Sequence, residues 1–411
     1  MPVRVLLITQ WFDPEPTPKG LAFARELARQ GFSVEVLTGF PNYPTGRLYP
    51  GYRMRWRERR LMDGVVVHRV PLYPSHDQSA LRRAFNYLSF AFSVLIHGLA
   101  AAGRADVIYV YHPPLTVAAA GTLLAVLRRR PVVCDIQDLW PDTLAATGMV
   151  QNQSVLRVVS VLCDWVYRHV DRIAVLSPGF KRMLLARGVP AGKVEVIYNW
   201  SDETALRSAE AAPPAGFPGA ERFRIVFAGN LGRAQGLDAV LGAAALLQQR
   251  GSPVTFVFVG DGVERARLLE LAEAQKLTNV TFLPAVPMNE IGAVLSAADA
   301  LLVHLRRDPL FEITIPSKIQ AYMTVGKPVL AAVAGDAAEL VQRAKCGVVA
   351  VPGDSRSIAE GAASLASHSA TALEELGRTA RRFYSEELSL AKGASAFGSI
   401  FRQLASEKQA A

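Results

Sequence analysis

Ser317 and Lys318 are the residues whose type and position most narrow the chemistry of this chain. They lie between two apolar runs, 300–305 and 328–333, that are typical of buried parallel strands. The residues between the runs predict a loop and then a helix that has Ser317 as its N-cap. Ligands of such sheets bind at the carboxyl ends of the strands. The amides of the helix N-terminus and the Lys318 ammonium together predict a phosphate site.

Two glycine-rich turns in the same half of the chain could bind the same kind of group. Residues 229–236, Gly-Asn-Leu-Gly-Arg-Ala-Gln-Gly, follow one strand-like run and precede a helical one, so their amides could face a phosphate. An ordinary strand-to-helix turn is the alternative. Residues 260–262, Gly-Asp-Gly, end the next strand-like run. A dinucleotide fingerprint would need a third glycine at the position of Arg265, which argues against an NAD site.

The segment 315–328, Ile-Pro-Ser-Lys-x-x-x-Tyr-Met-x-x-Gly-Lys-Pro, resembles the donor-binding segment of the retaining glycosyltransferases of family 4. The sequence of this segment is most similar to that of the WbuB-like transferases of bacterial O-antigen and capsule pathways. The resemblance extends over nearly the whole chain. The family's usual glutamates, separated by seven residues, would fall at Ile313 and Ala321. Glu312 and Gln320 keep that separation one place earlier, which on a helix is a rotation of about 100°.

The resemblance implies that the second half of the chain binds a nucleotide-sugar. In most members an arginine and a lysine align with Asn230 and Gln235, so Arg233 and Lys318 are left as the cations for a diphosphate. Glu312 could contact the donor sugar or ribose, and Ala285 lies where the family contacts the base through its backbone. The predicted nucleotide-sugar-binding residues are Gly20, Gly229, Asn230, Arg233, Gln235, Gly236, Gly260, Asp261, Gly262, Ala285, Ser317, Lys318 and Gln320. The predicted catalytic residues are Asp138, Lys318 and Glu312.

In the first half of the chain the resemblance points to the acceptor. The loop at 10–20 borders the sugar and acceptor in the family, so Lys19 and Gly20 are candidates for a donor phosphate or an acceptor diphosphate; a plain helix entry is the alternative. Asp138, in a segment similar to the family's His-Asp-Leu-Trp-Pro, could hydrogen-bond a sugar hydroxyl, accept its proton, or cap a helix. Two histidines in WbuB-like fragments are candidates for acceptor binding or for structural roles: His76 and His112.

The elements that must position these residues repeat in two halves. Near-continuous apolar strands alternate with helical patterns over 1–200 and again over 222–387, which is typical of doubly wound parallel sheets. The Ala-, Pro- and Gly-rich stretch within 201–221 predicts a linker. The resemblance implies a GT-B fold, in which two Rossmann-like domains face a central cleft and the C-terminal helix, 388–411, crosses back to the first domain.

The net positive charge of the chain arises from its first half. Residues 1–200 hold 24 Lys and Arg against 14 Asp and Glu, whereas residues 201–411 hold 21 against 22, so the net charge of +9 arises from balances of +10 and −1. Five arginines interleaved with Met54 and Trp56 suit an anionic lipid surface or a polyphosphate, with a solvated loop as the alternative: Arg53, Arg55, Arg57, Arg59 and Arg60. No nucleic-acid-binding module accompanies them.

An uncharged stretch of twenty residues, 84–103, predicts a helix that is interfacial or packed within the protein. Its polar members, Asn86, Ser89, Ser93 and His97, fall on one stripe. No secretory signal is evident at the amino terminus. The three cysteines, Cys134, Cys163 and Cys346, form no metal-binding pattern and are expected to be core thiols in a reducing compartment.

The function that the resemblance implies is retaining transfer of a sugar, with an N-acetylated amino sugar as one option, from a UDP-sugar to a polyprenyl-diphosphate-linked acceptor. The expected enzyme needs no cofactor or metal, since no Asp-x-Asp motif is present, and is cytoplasmic and peripheral or monotopic on the inner face of the membrane. One rival is an enzyme of the UDP-sugar 2-epimerase type. The other is a non-catalytic membrane-bound scaffold with a degenerate donor site, which the neutral Asn230, Gln235 and Ala321 would allow.

Overall fold

The structure, a computed structural model, describes residues 2–75, 79–146, 149–206 and 213–410. Contacts divide the chain into two units: unit 1 comprises Met1–Tyr198 and Leu390–Ala411, and unit 2 comprises Asn199–Ser389. Each unit contains a mostly or wholly parallel sheet with helices between the strands. This confirms the predicted fold class of two doubly wound domains. Residues 207–212 of the predicted linker lie outside the described residues, and the linker begins with a short helix in unit 2.

The sheet of unit 1 has eight strands in the order β3-β4-β2-β1-β5-β6-β7-β8. The strands are β1 (Arg4–Ile8), β2 (Ser33–Gly39), β3 (Glu58–Met62), β4 (Val65–Val70), β5 (Val107–His112), β6 (Val132–Ile136), β7 (Arg172–Val175) and β8 (Val194–Val196). All pairs are parallel except β3 with β4. β3 contains part of the arginine-rich segment, so the alternative of a solvated loop does not hold for Arg59 and Arg60. Its pairing with β4 at the sheet edge leaves Arg59 and Arg60 exposed.

Helices connect the strands of unit 1 and cover both faces of the sheet. They are α1 (Leu21–Arg29), α2 (Ala80–Arg104), α3 (Leu115–Arg128), α4 (Asp142–Ala146), α5 (Gln153–His169) and α6 (Pro178–Ala186). α1 follows the proline-rich loop, as the sequence predicts. α4 begins at Asp142 and not near Asp138, so a helix-capping role for Asp138 is wrong.

The sheet of unit 2 has six parallel strands in the order β11-β10-β9-β12-β13-β14. The strands are β9 (Phe223–Ala228), β10 (Val254–Val259), β11 (Val280–Leu283), β12 (Ala300–His304), β13 (Val329–Ala332) and β14 (Gly347–Ala350). The order reverses between β9 and β12, because β10 and β11 lie on one side of β9 while β12 to β14 lie on the other. Such a reversal leaves a crevice at the carboxyl ends of the two strands, where ligands of these sheets bind.

The helices of unit 2 place their apolar sides on this sheet. They are α7 (Glu203–Leu206), α8 (Asp238–Gln249), α9 (Arg265–Ala274), α10 (Ile291–Ser296), α11 (Pro309–Glu312), α12 (Ser317–Val325), α13 (Asp336–Ala344), α14 (Ser355–Ala366) and α15 (Ala370–Phe383). The predicted N-cap of α12 is wrong by one residue. Pro316 occupies the N-cap position with φ −63° and ψ 134°, and Ser317 is the first helical residue. The fixed ring of proline suits that extended backbone.

The C-terminal helix, α16 (Leu390–Ala410), packs in unit 1 against α1 and β5. Phe397 is fully buried, and its ring lies 5.4 Å from those of Phe23 and Tyr109. The Lys19 ammonium lies 5.0 Å from the centre of the Phe397 ring and 3.7 Å from the Asp135 carboxylate. The helix therefore covers a buried ion pair in unit 1.

α2 has its polar stripe on the inside and an apolar stripe on the outside. Asn86 donates to the carbonyl of Tyr73 at 2.6 Å, and Ser93 donates to that of Pro71 at 2.6 Å, so these two inner polar groups have partners. The outer stripe is exposed and consists of Leu81, Phe85, Leu88, Phe92 and Ile96. The predicted helix and stripe are correct, but the arrangement inverts that of an ordinary surface helix.

The cores of both units consist of their strands and the apolar sides of the helices on them. Cys134, Cys163 and Cys346 are all buried and none forms a disulfide. Their positions fit the expected core thiols.

Candidate donor site in unit 2

The site begins where β9 and β12 part. Their registered pairing ends at Val226 with Leu301, whereas β9 stays paired with β10 as far as Ala228. The amide of Gly229 donates to Val259 on β10, so the N–H and C=O of Ala228 face the other side, towards the crevice. Backbone groups buried at such a point need partners.

α12 supplies both partners. Lys318 Nζ donates to the carbonyl oxygen of Ala228 at 2.8 Å, and the Tyr322 hydroxyl accepts from the amide of Ala228 at 3.3 Å. Residues four apart lie on one side of a helix, which explains why Lys318 and Tyr322 reach the same peptide unit. The N-terminus of α12 is thereby fixed at the carboxyl end of β9.

Lys318 is a mostly buried cation. Its Nζ lies 4.7 Å from the centre of the Phe227 ring, and no ion pair joins it to a carboxylate in the described part of the chain. Burial lowers the pKa of Lys318 to about 8. An anionic ligand would supply the missing negative charge and favour the ammonium form.

Two glycines allow the surrounding backbone to approach this cation. Gly229 has φ 131°, and a Cβ atom there would lie 2.2 Å from Lys318 Nζ. Gly260 has φ 149°, and its Cβ would lie 2.0 Å from the carbonyl oxygen of Gly229. A side chain at either position would therefore separate the two glycine-rich turns from each other or from Lys318.

Asn230 and Gln235, the neutral residues of the glycine-rich turn at 229–236, stabilise the turn itself. Gln235 Oε1 accepts from the amide of Gly232 at 3.1 Å, and His304 Nδ1 donates to the carbonyl of Gln235 at 2.5 Å. The Asn230 side chain lies beside Gly232 and Gly262. Asn230 and Gln235 thus do not replace the charges of the aligned arginine and lysine.

The side chain of Arg233 makes its contacts away from Lys318. Its guanidinium is largely exposed and lies 3.5 Å from the Glu264 carboxylate. With Gly236, His304 and Arg306 it lines a pocket of about 360 Å³ beside the turn. Its predicted contact with a diphosphate stays a prediction, and Lys318 is the cation that faces the crevice.

The other predicted donor residues fall at the carboxyl edge of the same sheet. Asp261 is exposed and accepts through Oδ1 from the amide of Gly262 at 2.8 Å. Ala285 is exposed just after β11, and Ser317 is exposed at the first turn of α12. The structure therefore places Asp261, Ala285 and Ser317 along the sheet edge at which Lys318 lies, whereas Arg233 and Gln320 face elsewhere.

Glu312 and Gln320, which keep the separation of the family's glutamates one place earlier, lie in two different environments. Glu312 ends α11 and is exposed, whereas Gln320 is buried in α12 and its Oε1 has no hydrogen-bond partner among the described residues. A buried polar atom of this kind is unfavourable unless something else satisfies it. Glu312 could meet a ligand from the open side, while Gln320 lies on the inner side of the helix.

The predicted residues of the first half lie in unit 1. Asp138 follows β6 and is partly buried, and burial raises the pKa of its carboxyl group. His112 ends β5; burial lowers its pKa to about 4, and neither ring nitrogen has a hydrogen-bond partner among the described residues. His76 lies outside the described residues.

In unit 1 the contacts of Lys19 and Gly20 are with other residues of the protein. Burial lowers the pKa of Lys19 to about 8, although the nearby Asp135 opposes that shift. In this arrangement the Lys19 ammonium faces Asp135 and Phe397, and has no exposed surface. A Cβ on Gly20 would lie 2.2 Å from an Asp13 oxygen, so the glycine permits the entry into α1. Their binding roles stay predictions.

The sequence reasoning missed Ala228, Phe227 and Tyr322 as parts of the site. Tyr322 is inside the motif, four residues after Lys318, and that spacing could have indicated its role. The part played by Ala228 depends on where the β9 and β12 pairing ends, which no local pattern records.

Residues 21–200 match the family model described as glycosyl transferase 4-like domain, and residues 210–383 match the one described as glycosyl transferases group 1. The chain belongs to the family 4 glycosyltransferases. WcaI of Escherichia coli (strain K12), a glycosyl transferase assigned to colanic acid biosynthesis, is 29% identical to this glycosyltransferase over 342 residues, which are 79% of this chain and 82% of WcaI. The glycosyltransferase WbjE of Pseudomonas aeruginosa is 26% identical over 249 residues, 60% of this chain and 61% of WbjE.

Solved structures confirm the GT-B fold of this glycosyltransferase. HepE of Anabaena, solved in complex with UDP, superposes with a TM-score of 0.66 and 18% identity, covering 98% of this chain and 100% of HepE. The described residues contain no group of three or more His, Cys, Asp or Glu side chains that could hold a metal ion.

The titration of Lys318 gives a prediction for donor use. Because only the ammonium form attracts a diphosphate, kcat/KM for the donor should be full below the Lys318 pKa and fall as pH rises through about 8. Lys318→Met should lower kcat/KM about 30-fold to 1,000-fold, the equivalent of about 2 to 4 kcal/mol, and remove this alkaline limb.

Lys327→Met is the matched control, because Lys327 lies beyond the other end of α12. It should keep the alkaline limb near its wild-type position. Activity of Lys318→Met within threefold of wild type at a pH well below 8, where wild-type Lys318 is protonated, would refute the assignment.

Proposed function

We propose that this glycosyltransferase moves a sugar from a UDP-sugar to a polyprenyl-diphosphate-linked acceptor, with retention of the anomeric configuration, in the synthesis of a cell-surface polysaccharide. The observation that carries the donor half is the mostly buried Lys318 ammonium, which forms no ion pair with a described residue and lies at the N-terminus of α12. A helix N-terminus and a cation together suit a diphosphate. HepE, a structural relative, has been solved with UDP and with UDP-glucose.

One relative supports the pathway in which the reaction would take part. WcaI is assigned to colanic acid biosynthesis, and the match covers most of both chains. A role in polysaccharide biosynthesis is therefore part of the proposal. The lipid-linked acceptor is proposed from the resemblance to WbuB-like transferases.

In the proposed reaction the chain stabilises the leaving group. As the bond from the sugar to the diphosphate breaks, negative charge grows on the diphosphate, and Lys318 with the amides of the first turn of α12 would oppose it. The acceptor hydroxyl attacks from the same face, and its proton passes to the departing diphosphate, as the family resemblance implies. Asp138 would hydrogen-bond the acceptor sugar, and Glu312 the donor sugar or ribose. The proposal includes no metal ion or cofactor.

A screen of UDP-sugars with a lipid-linked acceptor, followed by mass spectrometry, tests the reaction. We expect one sugar residue to be added to the acceptor, with UDP released only when acceptor is present. Release of UDP or conversion of the UDP-sugar without acceptor would indicate the epimerase type instead. Absence of transfer from every UDP-sugar would favour the scaffold.

The role of Glu312 can be tested in the same assay. Glu312→Gln should lower turnover about tenfold or more, because a hydrogen bond to a charged group contributes about 1.5 to 3 kcal/mol. Glu374→Gln, at an exposed position of α15, is the control and should be near wild type. A normal rate for Glu312→Gln would show that the donor is held without an acidic side chain.

We further propose that unit 1 binds an anionic membrane at the cytoplasmic face. One helix of the described chain, Leu81–Arg104, is long and apolar enough to cross a membrane by length and composition alone. The inner side of this helix is hydrogen-bonded within unit 1, so contact through its exposed outer stripe fits better than a crossing. Trp56, 69% exposed, packs its ring 4.6 Å from His97 of the same helix and brings the arginine-rich segment beside it.

Vesicle co-sedimentation tests the membrane contact. Arg57 Nη2 lies 3.2 Å from His68 Nδ1, so Arg57 is left unchanged to preserve this contact. The test variant changes Arg53, Arg55 and Arg59 to Gln. Each basic residue near an anionic surface contributes about 1 kcal/mol, so binding should fall by about 100-fold at low salt. A variant with Phe85 and Phe92 changed to Ser should also bind more weakly, but with little dependence on salt.

The charge-matched control changes three exposed arginines of unit 2, Arg250, Arg356 and Arg382, to Gln. It should bind vesicles as the wild type does. Equal losses in the control and the test variants would mean that net charge alone, and not this surface, governs binding.

A further inference from the structure

We propose that unit 1 carries a surface for a second copy of this chain, formed by the outer side of α5. The two copies would place their α5 helices side by side and antiparallel, about a two-fold axis near Val161. Such an axis makes a residue i of one copy meet a residue j of the other, and j meet i. The contact is independent of the proposed reaction.

The outer side of α5 carries an exposed valine row, which consists of Val155, Val158 and Val161. Val158 is 67% exposed and Val161 is 61% exposed. Trp165, one turn after Val161, continues the row along the helix. The inner side is also apolar and is buried in unit 1 through Cys163, Val166 and Tyr167. A helix that is apolar on both sides is usually covered on both. Within the described chain only the inner side of α5 is covered.

Two residues of opposite charge border the valine row. Arg157 and Asp164 are both exposed, and they lie seven residues apart, almost two full helical turns, so they share one flank of the row. Neither side chain forms a hydrogen bond or an ion pair with another residue in the described ranges. Antiparallel pairing brings Arg157 of each copy opposite Asp164 of the other. Parallel pairing would instead place each of these charges against its own like.

The register that joins these charges also joins the apolar side chains. The midpoint between Arg157 and Asp164 lies between Ser160 and Val161 in the sequence. Around that midpoint Val161 of one copy faces Val158 and Val161 of the other, and Trp165 faces Val158. Two symmetry-related ion pairs would therefore flank an apolar seam, which is how charges beside paired helices set their partner and orientation.

α3 widens the apolar surface beside α5. The two helices pack together, and α3 exposes Leu123, Val126 and Leu127, of which Leu127 is 59% exposed. One pair of helices covers less area than a standard interface of about 1,200 to 2,000 Å², so the side chains of α3 would be needed to complete it. We therefore expect a dimer of modest affinity, with a dissociation constant in the micromolar range.

A second copy fits the valine row better than a membrane does. The outer stripe of α2 contains no charged residue and lies near the arginine-rich segment, which suits anionic lipid. The valine row has the Asp164 carboxylate on its flank, which an anionic surface would repel. A cation and an anion at equal distances from the centre of the row suit a partner that has the same two groups in reverse order. A second copy of this chain has that arrangement.

Sedimentation velocity of the full-length chain without vesicles tests the pairing. The wild type should change from monomer to dimer as its concentration rises. Arg157→Glu alone and Asp164→Arg alone should each weaken self-association about tenfold or more, because both ion pairs become contacts between like charges. An equimolar mixture of these two variants should dimerise about as well as the wild type, because both contacts between the unlike copies then join opposite charges.

Arg250→Glu and Glu270→Arg, at exposed positions of unit 2, are the charge-matched controls. Each should dimerise as the wild type does, and mixing them should change nothing. Every variant should keep the circular dichroism spectrum of the wild type. A wild type that stays monomeric up to about 100 µM would overturn the proposal. A mixture of Arg157→Glu and Asp164→Arg that associates no better than either variant alone would also overturn it. Weaker vesicle binding by Val158→Ser in a chain that stays monomeric would assign the row to the membrane instead.

Crosslinking tests the antiparallel register. The three native cysteines are buried, so a short bismaleimide should react at an introduced thiol. Val161→Cys, beside the axis, should give a crosslinked dimer. Val155→Cys should not, because antiparallel pairing separates the two copies of this position by about 16 Å along the helix. Efficient crosslinking at both positions would indicate a parallel pair and contradict the proposal.

Discussion

The peptide unit at Ala228 is the point on which the donor site depends. Because β9 and β12 part before this residue, its N–H and C=O have no strand partner on that side, and α12 must supply two side-chain partners. This requirement fixes a lysine and a tyrosine four residues apart, the start of the helix, and the glycine that leaves room for the ammonium. A structural need of the sheet thereby positions a cation at the edge where ligands of such sheets bind.

The same arrangement explains why the cation is available to a ligand. A lysine that reaches a backbone carbonyl in a mostly buried place loses hydration, and its pKa falls because no carboxylate compensates. The free protein therefore holds Lys318 in a less favourable state than a surface lysine. Binding of the proposed diphosphate would relieve that state without moving the side chain, which is the preorganisation that favours charge development in a transition state. This also reduces the need for charge at Asn230 and Gln235.

The sequence predicted most of the fold because the central strands are continuous apolar runs, as in β9 and β12. It missed β3, whose charged residues give no strand pattern and whose pairing depends on β4. The stripe on α2 was predictable from spacing, but spacing alone does not tell which side faces inward; that follows from hydrogen bonds such as Ser93 to Pro71. The burial of Lys19 depends on Phe397, at the far end of the chain, so no local reading could find it.

The two units hold partly or mostly buried groups of opposite charge. In unit 2 Lys318 lies beside the strand reversal with no carboxylate among the described residues paired to it, whereas in unit 1 the partly buried Asp138 carboxylate follows β6. Each environment raises the cost of keeping its own group charged while empty, since burial disfavours both an ammonium and a carboxylate. In the proposed reaction a diphosphate would remove that cost in unit 2, and hydroxyl groups would remove it in unit 1. The proposed selectivity of each unit for its half of a glycosyl transfer would then follow from the sign of one buried charge, before any contact with the rest of the substrate is considered.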